Sequence, residues 1–284
     1  MKDKIKELKI IATKLRIDII EMLASAGSGH AGGSLSCADI IACLYFCVMR
    51  HNPKEPKWRE RDRFVLSKGH ACPALYAALA EAGYFPREEI FNLRKLNSIL
   101  QGHPDMNKTP GVEFSSGSLG QGFAAAFGMA LGYKMEDNPG HIFVMLGDGE
   151  CQEGIVWETA MGVSHYKLDN LTAILDYNNL QIDGKVSEIM EIAPIADKFR
   201  SFGWTVYEID GHNIEEILWA LSPERIIPGK PTMVIAHTIK GKGVSFMENQ
   251  VDWHGKAPAK EEAEIALKEL REELERLMKD EGSR

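Results

Sequence analysis

No apolar run in the chain is long enough to span a bilayer. The N-terminal stretch MKDKIKELKIIATKLR is charged and helical in pattern, which excludes a secretory signal there. There is no basic block either. Lys and Arg number 33 against 41 Asp and Glu, for a net charge of −8. Nucleic acid is thereby excluded as a main partner, because phosphate binding needs clustered cations. Cysteine is scarce and odd in number, with five residues at spacings that match no zinc pattern. Reduced thiols in a cytoplasmic protein are expected. Cys43 and Cys47, one helical turn apart in an apolar stretch, read as core. Cys151 adjoins a Gly-Asp-Gly turn, but no base is placed beside it by sequence, so packing is favoured over a nucleophilic role. The chain shows no internal repeat and no low-complexity linker. Its 284 residues suffice for one large α/β domain or two small ones.

The periodicity predicts a helix over residues 4–25, with Ile5, Leu8, Ala12, Leu15, Ile19 and Met22 on one face. A glycine-rich loop, AGSGHAGGS, follows. Ser36–Asp39 reads as a capping box opening a second helix to about Met49. RFVLSKGHA is a strand running into a loop, and helices are expected around 73–82 and 87–97. The long polar loop GHPDMNKTPGVEFSSGSLGQG leads into a helix of small residues, FAAAFGMALGYKM. Beyond it, HIFVML, NLTAILDY, WTVYEID and KPTMVIAHT alternate with helices. Apolar strands alternating with helices predict an α/β fold, a parallel sheet with helices on both faces. Residues 259–284 are expected to add a charged amphipathic helix to the main domain, 1–258. Its Ile265, Leu267, Leu270, Leu274 and Leu277 face either that domain or another chain.

The chemistry concentrates in FVMLGDGECQEGIVWE. An apolar strand delivers Asp148 to its carboxyl end, where ligands of open parallel sheets bind. Gly147 and Gly149 permit a sharp turn and close approach. Taken singly, such an aspartate is as often a helix cap. The next strand ends in Asn178, thirty positions on, one strand–helix–strand unit away. A carboxylate and an amide oxygen suit a hard cation such as Mg²⁺, which completes its shell with phosphate oxygens and water. Gly149, opening the next helix, offers a backbone N–H to that phosphate. A metal diphosphate is therefore the implied ligand.

Gly-Asp-Gly followed by an Asn-bearing strand end resembles the thiamine-diphosphate fingerprint. SGHAGGSLS, SKGHACPALYA, GHPD, GSLGQGFAAAFGMAL, GDGECQEGIVWETA and WHGKAP resemble transketolase segments in the same order, from about residue 10 to 258. Ala31 stands where that family usually has Pro. The chain resembles only the first, diphosphate-binding (PP-type) domain of these longer enzymes. The resemblance implies the N-terminal subunit of a split transketolase. Such an enzyme transfers a two-carbon ketol unit between sugar phosphates, as in the pentose phosphate pathway, with thiamine diphosphate and Mg²⁺. The implied partner is a C-terminal subunit carrying the pyrimidine-binding domain, in a heterotetramer, with neither nucleic acid nor membrane involved.

By the same resemblance, Mg²⁺ is held by the side chains of Asp148 and Asn178 and by the carbonyl of Leu180. His70, Gly149 and His254 contact the diphosphate. Gly117, Ser118, Leu119 and Ile182 line the cofactor nearer its thiazolium, and Lys240 in HTIKGKG sits nearby; without the resemblance KGKG reads equally as a surface turn. His30, His103 and His254 meet the sugar and move protons, a task suited to imidazole. Each lies in a glycine-containing loop. Glu153 and Glu158, also assigned to the catalytic and cofactor set, belong to a carboxylate network at a subunit interface. The sequence leaves two alternatives: a related thiamine enzyme such as 1-deoxyxylulose-5-phosphate synthase, and a cofactor-holding subunit without turnover.

Overall fold

A computed structural model describes residues 2–279. It opens on α1 (Lys2–Ala26), followed by two short helices, α2 (Ala31–Ser36) and α3 (Ala38–Cys43). Strand β1 (Arg63–Leu66) leads to α4 (Cys72–Glu81) and α5 (Gln121–Met135). Then come β2 (Ile142–Gly147), α6 (Gly154–His165) and β3 (Leu171–Tyr177). A small hairpin, β4 (Leu180–Gln181) and β5 (Gly184–Lys185), precedes α7 (Val186–Ile189) and α8 (Ile195–Ser201). The chain continues through β6 (Thr205–Asp210), α9 (Ile214–Ala220), β7 (Thr232–His237) and α10 (Lys260–Lys279). Positions 280–284 of the expected terminal helix lie outside the described residues.

Five strands form one parallel sheet in the order β1-β2-β3-β7-β6. Strand side chains alternate between faces. Phe64, Leu66, Phe143, Met145, Ile174, Val234 and Ala236 join one core, under α1, α3, α4 and α9. Val65, Ile142, Val144, Leu146, Ala173, Leu175, Met233 and Ile235 join the other, under α5, α6 and α8. Burial on both faces is why these strands read as continuous apolar runs. On α10, Ala263, Ala266 and Leu270 enter the first core, and Leu267 and Leu274 pack against it. Ile265 stays exposed. Among the described residues no helix is long and apolar enough to cross a membrane.

Four expectations fail locally. The stretch Ala31–Ser36 is helical, not loop. The capping box does not form, because α3 starts after Cys37 without a side-chain cap. Asp39 instead accepts two bonds from Arg16, at 3.2 and 2.6 Å, and lies 2.8 Å from His212 Nδ1. Cys43 is buried, but Cys47 is exposed, because α3 widens into a π turn over Leu44–Val48 that rotates it outward. The expected helix at 87–97 is one short 3₁₀ stretch, Arg87–Asn92.

Candidate functional site

Because the sheet is parallel, its strand ends bring Ser67–His70, Asp148–Glu150, Asn178 and Thr238–Lys240 to one edge. Deepest there is an ion pair that sequence reasoning missed. Lys68 donates to Asp176 and to the carbonyl of Gly33 at 2.9 Å. Asp176 also accepts from Ser36 at 2.6 Å and from Thr238. Burial alone would raise the Asp176 pKa; Lys68 and the two hydroxyls hold it below its ordinary value. Such a pair adds little net stability over a packed apolar pair, but it joins β3 to α2 and to the loop at residue 68. The available signal was an Asp inside the otherwise apolar LTAILDY.

Above this pair sits Asp148, 3 % exposed. Its Oδ1 accepts from Gly149 N–H at 2.8 Å and its Oδ2 from Asn179 N–H at 2.5 Å. It therefore caps its own turn and also ties β2 to β3. Asn178 Oδ1 accepts from Leu180 N–H at 3.1 Å. Each of these oxygens keeps a free lone pair. Burial, then the Asp176 charge, raise the Asp148 pKa to about 6. A buried carboxylate in that condition is one that a bound cation would stabilise. Asp148 and Asn178 thus fit a Mg²⁺ held partly by phosphate, with the buried Leu180 beside them. Among the described residues no cluster of three His, Cys, Asp or Glu could hold a metal unaided.

Three imidazoles gather beside the carboxylates. The His70 ring lies 5.2 Å from that of His254 and 5.3 Å from that of His30, and His30 lies 5.8 Å from His254. Lys240 Nζ donates to His254 Nδ1 at 2.8 Å, which leaves the ring proton on Nε2. Lys240 is 1 % exposed, so KGKG is not a surface turn at its first residue. Gly32 makes room for it: a Cβ there would meet Lys240 Cγ at 2.7 Å and the Trp253 carbonyl at 2.9 Å. Burial and the nearby Lys68 pull the Lys240 pKa down to about 8. Burial, then Lys240, press His254 to about 3. Burial, then Arg94, press His30 to about 4. His70 is lowered as well, by burial and then Lys68. The cluster is therefore a set of neutral rings beside a cation, ready for an anion. His30 Nδ1 is buried without a hydrogen-bond partner among the described residues.

His103 joins from the 101–120 loop. Gly117, at φ +155°, lies against its ring, since a Cβ there would be 3.3 Å away. Ser118 is exposed and Leu119 half-buried beside it. Glu150, absent from the expected set, is 2 % exposed and holds this loop down. It accepts from Ser67 Oγ at 2.5 Å, Gly120 N–H at 2.7 Å and Gly147 N–H at 3.0 Å. Glu153, Glu158 and Ile182 are exposed, outside this buried cluster. The buried Cys151 has its thiol pushed well up by burial, so it is no nucleophile.

An open parallel sheet with a carboxylate–amide pair and neutral imidazoles at its carboxyl edge defines a diphosphate-binding α/β protein. Comparison with known proteins narrows the class. Residues 7–275 match the family described as transketolase, thiamine diphosphate binding domain. The 6-deoxy-6-sulfo-D-fructose transketolase subunit SqwG of Clostridium sp. is 46% identical over 94% of this chain and 97% of its own. An apulose-4-phosphate transketolase subunit from Phocaeicola vulgatus is 41% identical over 98% of both chains. The crystal structure of Campylobacter jejuni transketolase superposes with a TM-score of 0.87 at 35% identity, covering 94% of this chain and 42% of that one. The chain belongs to the transketolase family, as a thiamine-diphosphate-binding N-terminal subunit.

Proposed function

We propose that this chain holds thiamine diphosphate and Mg²⁺ for a two-chain transketolase acting on sugars with an anionic terminus. The observation that carries the reading is the convergence of Asp148 and Asn178 with His70, His254 and Lys240 on one sheet edge. In this reading Asp148, Asn178 and the Leu180 carbonyl bind the metal, and the Gly149 N–H, His70 and His254 the diphosphate. Gly117, Ser118, Leu119 and Ile182 line the cofactor, with Lys240 near its phosphate end. When bound, the cofactor supplies the carbanion that takes up the two-carbon unit. His30, with its free Nδ1, and His103 bind sugar oxygens and hold or move protons there, and His254 assists through its Nε2. The two subunit relatives are named for a sulfo sugar and a sugar phosphate, which supports an anionic ketose or aldose as substrate.

The partner would carry the pyrimidine-binding domain, in a heterotetramer in the cytoplasm. An uncovered apolar surface supports a partner. α5 is apolar over most of its length, and its Phe127 packs with Tyr166 at 5.9 Å, while Met135 on α5 and Met161 on α6 are exposed. Glu153, the N-cap of the adjoining α6, and Glu158 within it would meet that partner in this reading. The test is reconstitution. The purified chain alone should show no ketol transfer, and a chain carrying the pyrimidine domain should restore it. Full activity from the chain alone would refute the split arrangement.

A further inference from the structure

No motif singled out His212, which stands just past the end of the edge strand β6. Strand β6 stops at Asp210, and the Gly211 N–H still donates to the His237 carbonyl of β7 at 2.8 Å. Only glycine fits this close approach, because a Cβ there would run into Thr238 Cγ2 and lie 3.1 Å from the His237 carbonyl. In a regular parallel ladder the next rung would take the Ile239 N–H to a carbonyl of β6. Here that N–H donates to His212 Nε2 at 2.9 Å instead. An imidazole nitrogen that accepts carries no proton, so the proton of the ring is on Nδ1. There it faces Asp39 Oδ2 at 2.8 Å. Asp39 on α3 is gripped in turn by both terminal nitrogens of Arg16 on α1. Burial would raise the Asp39 pKa, but Arg16 and His212 hold it well below its ordinary value, so it stays an acceptor. The Asp210 side chain fixes the near end by accepting from the His212 N–H at 2.8 Å.

The residue after Ile239 is Lys240, whose Nζ reaches His254 Nδ1 at 2.8 Å. The residue before it, Thr238, donates to Asp176. Three successive residues leaving β7 are thus tied to three different parts of the chain. We propose that His212 is a positioning residue: by accepting from Ile239 it fixes how the chain leaves β7, and so sets Lys240 against His254 and the diphosphate. The Nδ1 proton is part of the device, because the other tautomer would turn an Nε2–H against the Ile239 N–H. Asp39 selects the tautomer, and Arg16 holds Asp39. The three side chains act on the site only through Ile239 and Lys240. This inference rests on the reading of Lys240 as lying near the phosphate end of the cofactor.

The tautomer is read on the isotope-labelled chain alone. Nitrogen NMR of the imidazoles should show His212 protonated on Nδ1, and a proton on Nε2 overturns the proposal. The route to the site is read in the reconstituted complex, titrated by calorimetry with thiamine diphosphate and Mg²⁺. The side-chain oxygen of His212→Gln can stand where Nε2 was and accept from Ile239, whereas the shorter His212→Asn replaces only Nδ1. The Kd should therefore rise about 10–100-fold in His212→Asn, the scale of one lost hydrogen bond with its N–H orphaned, and His212→Gln should recover most of that loss. In a Lys240→Met background His212→Asn should add little, because both changes remove the same contact. Asn and Gln variants that are equally weak, or losses that add in the double variant, overturn the proposal. A wild-type complex that binds no thiamine diphosphate overturns the proposed function, and this inference with it.

Discussion

Replacing Glu150 tests whether one buried carboxylate organises the site. Its three donors come from three segments: Ser67 after β1, Gly120 before α5 and Gly147 at the end of β2. Ser67 Oγ in turn accepts from Phe123 N–H at 3.1 Å. Glu150→Ala removes all three acceptor contacts. Two backbone N–H groups are then orphaned, at about 1–3 kcal/mol each. The serine hydroxyl can rotate to another acceptor, and the truncated side chain leaves a small void, worth a further 1–2 kcal/mol or so. Against this stands relief from holding a carboxylate in a place that raises its pKa by burial. The net loss should be about 3–5 kcal/mol, read by urea unfolding of the chain. Glu150→Gln keeps the oxygen shared by Ser67 and Gly120 but sets an amide N–H against that of Gly147. It should lose about 1–2 kcal/mol, the scale of one hydrogen bond and one orphan. Thiamine diphosphate affinity should fall with stability, since the Gly117–Leu119 loop adjoins Gly120. An alanine variant within about 0.5 kcal/mol of wild type, the range of ordinary surface changes, would refute the reasoning.

Two further outcomes follow from the same edge of the sheet. Asp148→Ala should abolish Mg²⁺-dependent cofactor binding by calorimetry, because Asn178 and a carbonyl lack charge. Unchanged affinity would reduce Asp148 to a turn cap. The cofactor-free chain should lose stability as pH falls from about 6.5 to about 4. His30 and His254 are neutral in the fold down to about 4 and about 3, while in the unfolded chain they take up protons near 6.5. Each group contributes at most about 1.4 kcal/mol per pH unit in that window. Asp148 opposes them: its folded pKa, about 6, is above the unfolded value of 3.8, so its penalty is relieved as pH falls. More histidines than carboxylates act, so a melting temperature that is flat or rising on acidification would sink the account.

What could be read from the sequence divides by sequence separation. The strands were legible because both faces are buried, so Val144, Met145 and Leu146 are all apolar although they enter opposite cores. Asp148 and Asn178 were legible because one strand–helix–strand unit fixes their convergence. Glu150 was not, although it stands two residues from Asp148. Its meaning lies in Ser67 and Gly120, 83 and 30 positions away, and no local pattern encodes those partners. The same holds for Asp39. Its neighbours suggest a cap worth about 1 kcal/mol, but Arg16 and His212 offer charge-assisted bonds to a buried carboxylate, and these win. Lys240 shows the same from the other side: by local pattern a lysine before Gly-Lys-Gly reads equally as solvated, until Gly32, far earlier in the chain, leaves it a slot. Local rules assign a polar residue its cheapest nearby partner. At the carboxyl edge of this sheet, loops from well-separated parts of the chain meet, and Lys68, Asp148, Glu150 and Asp176 each find a distant partner there.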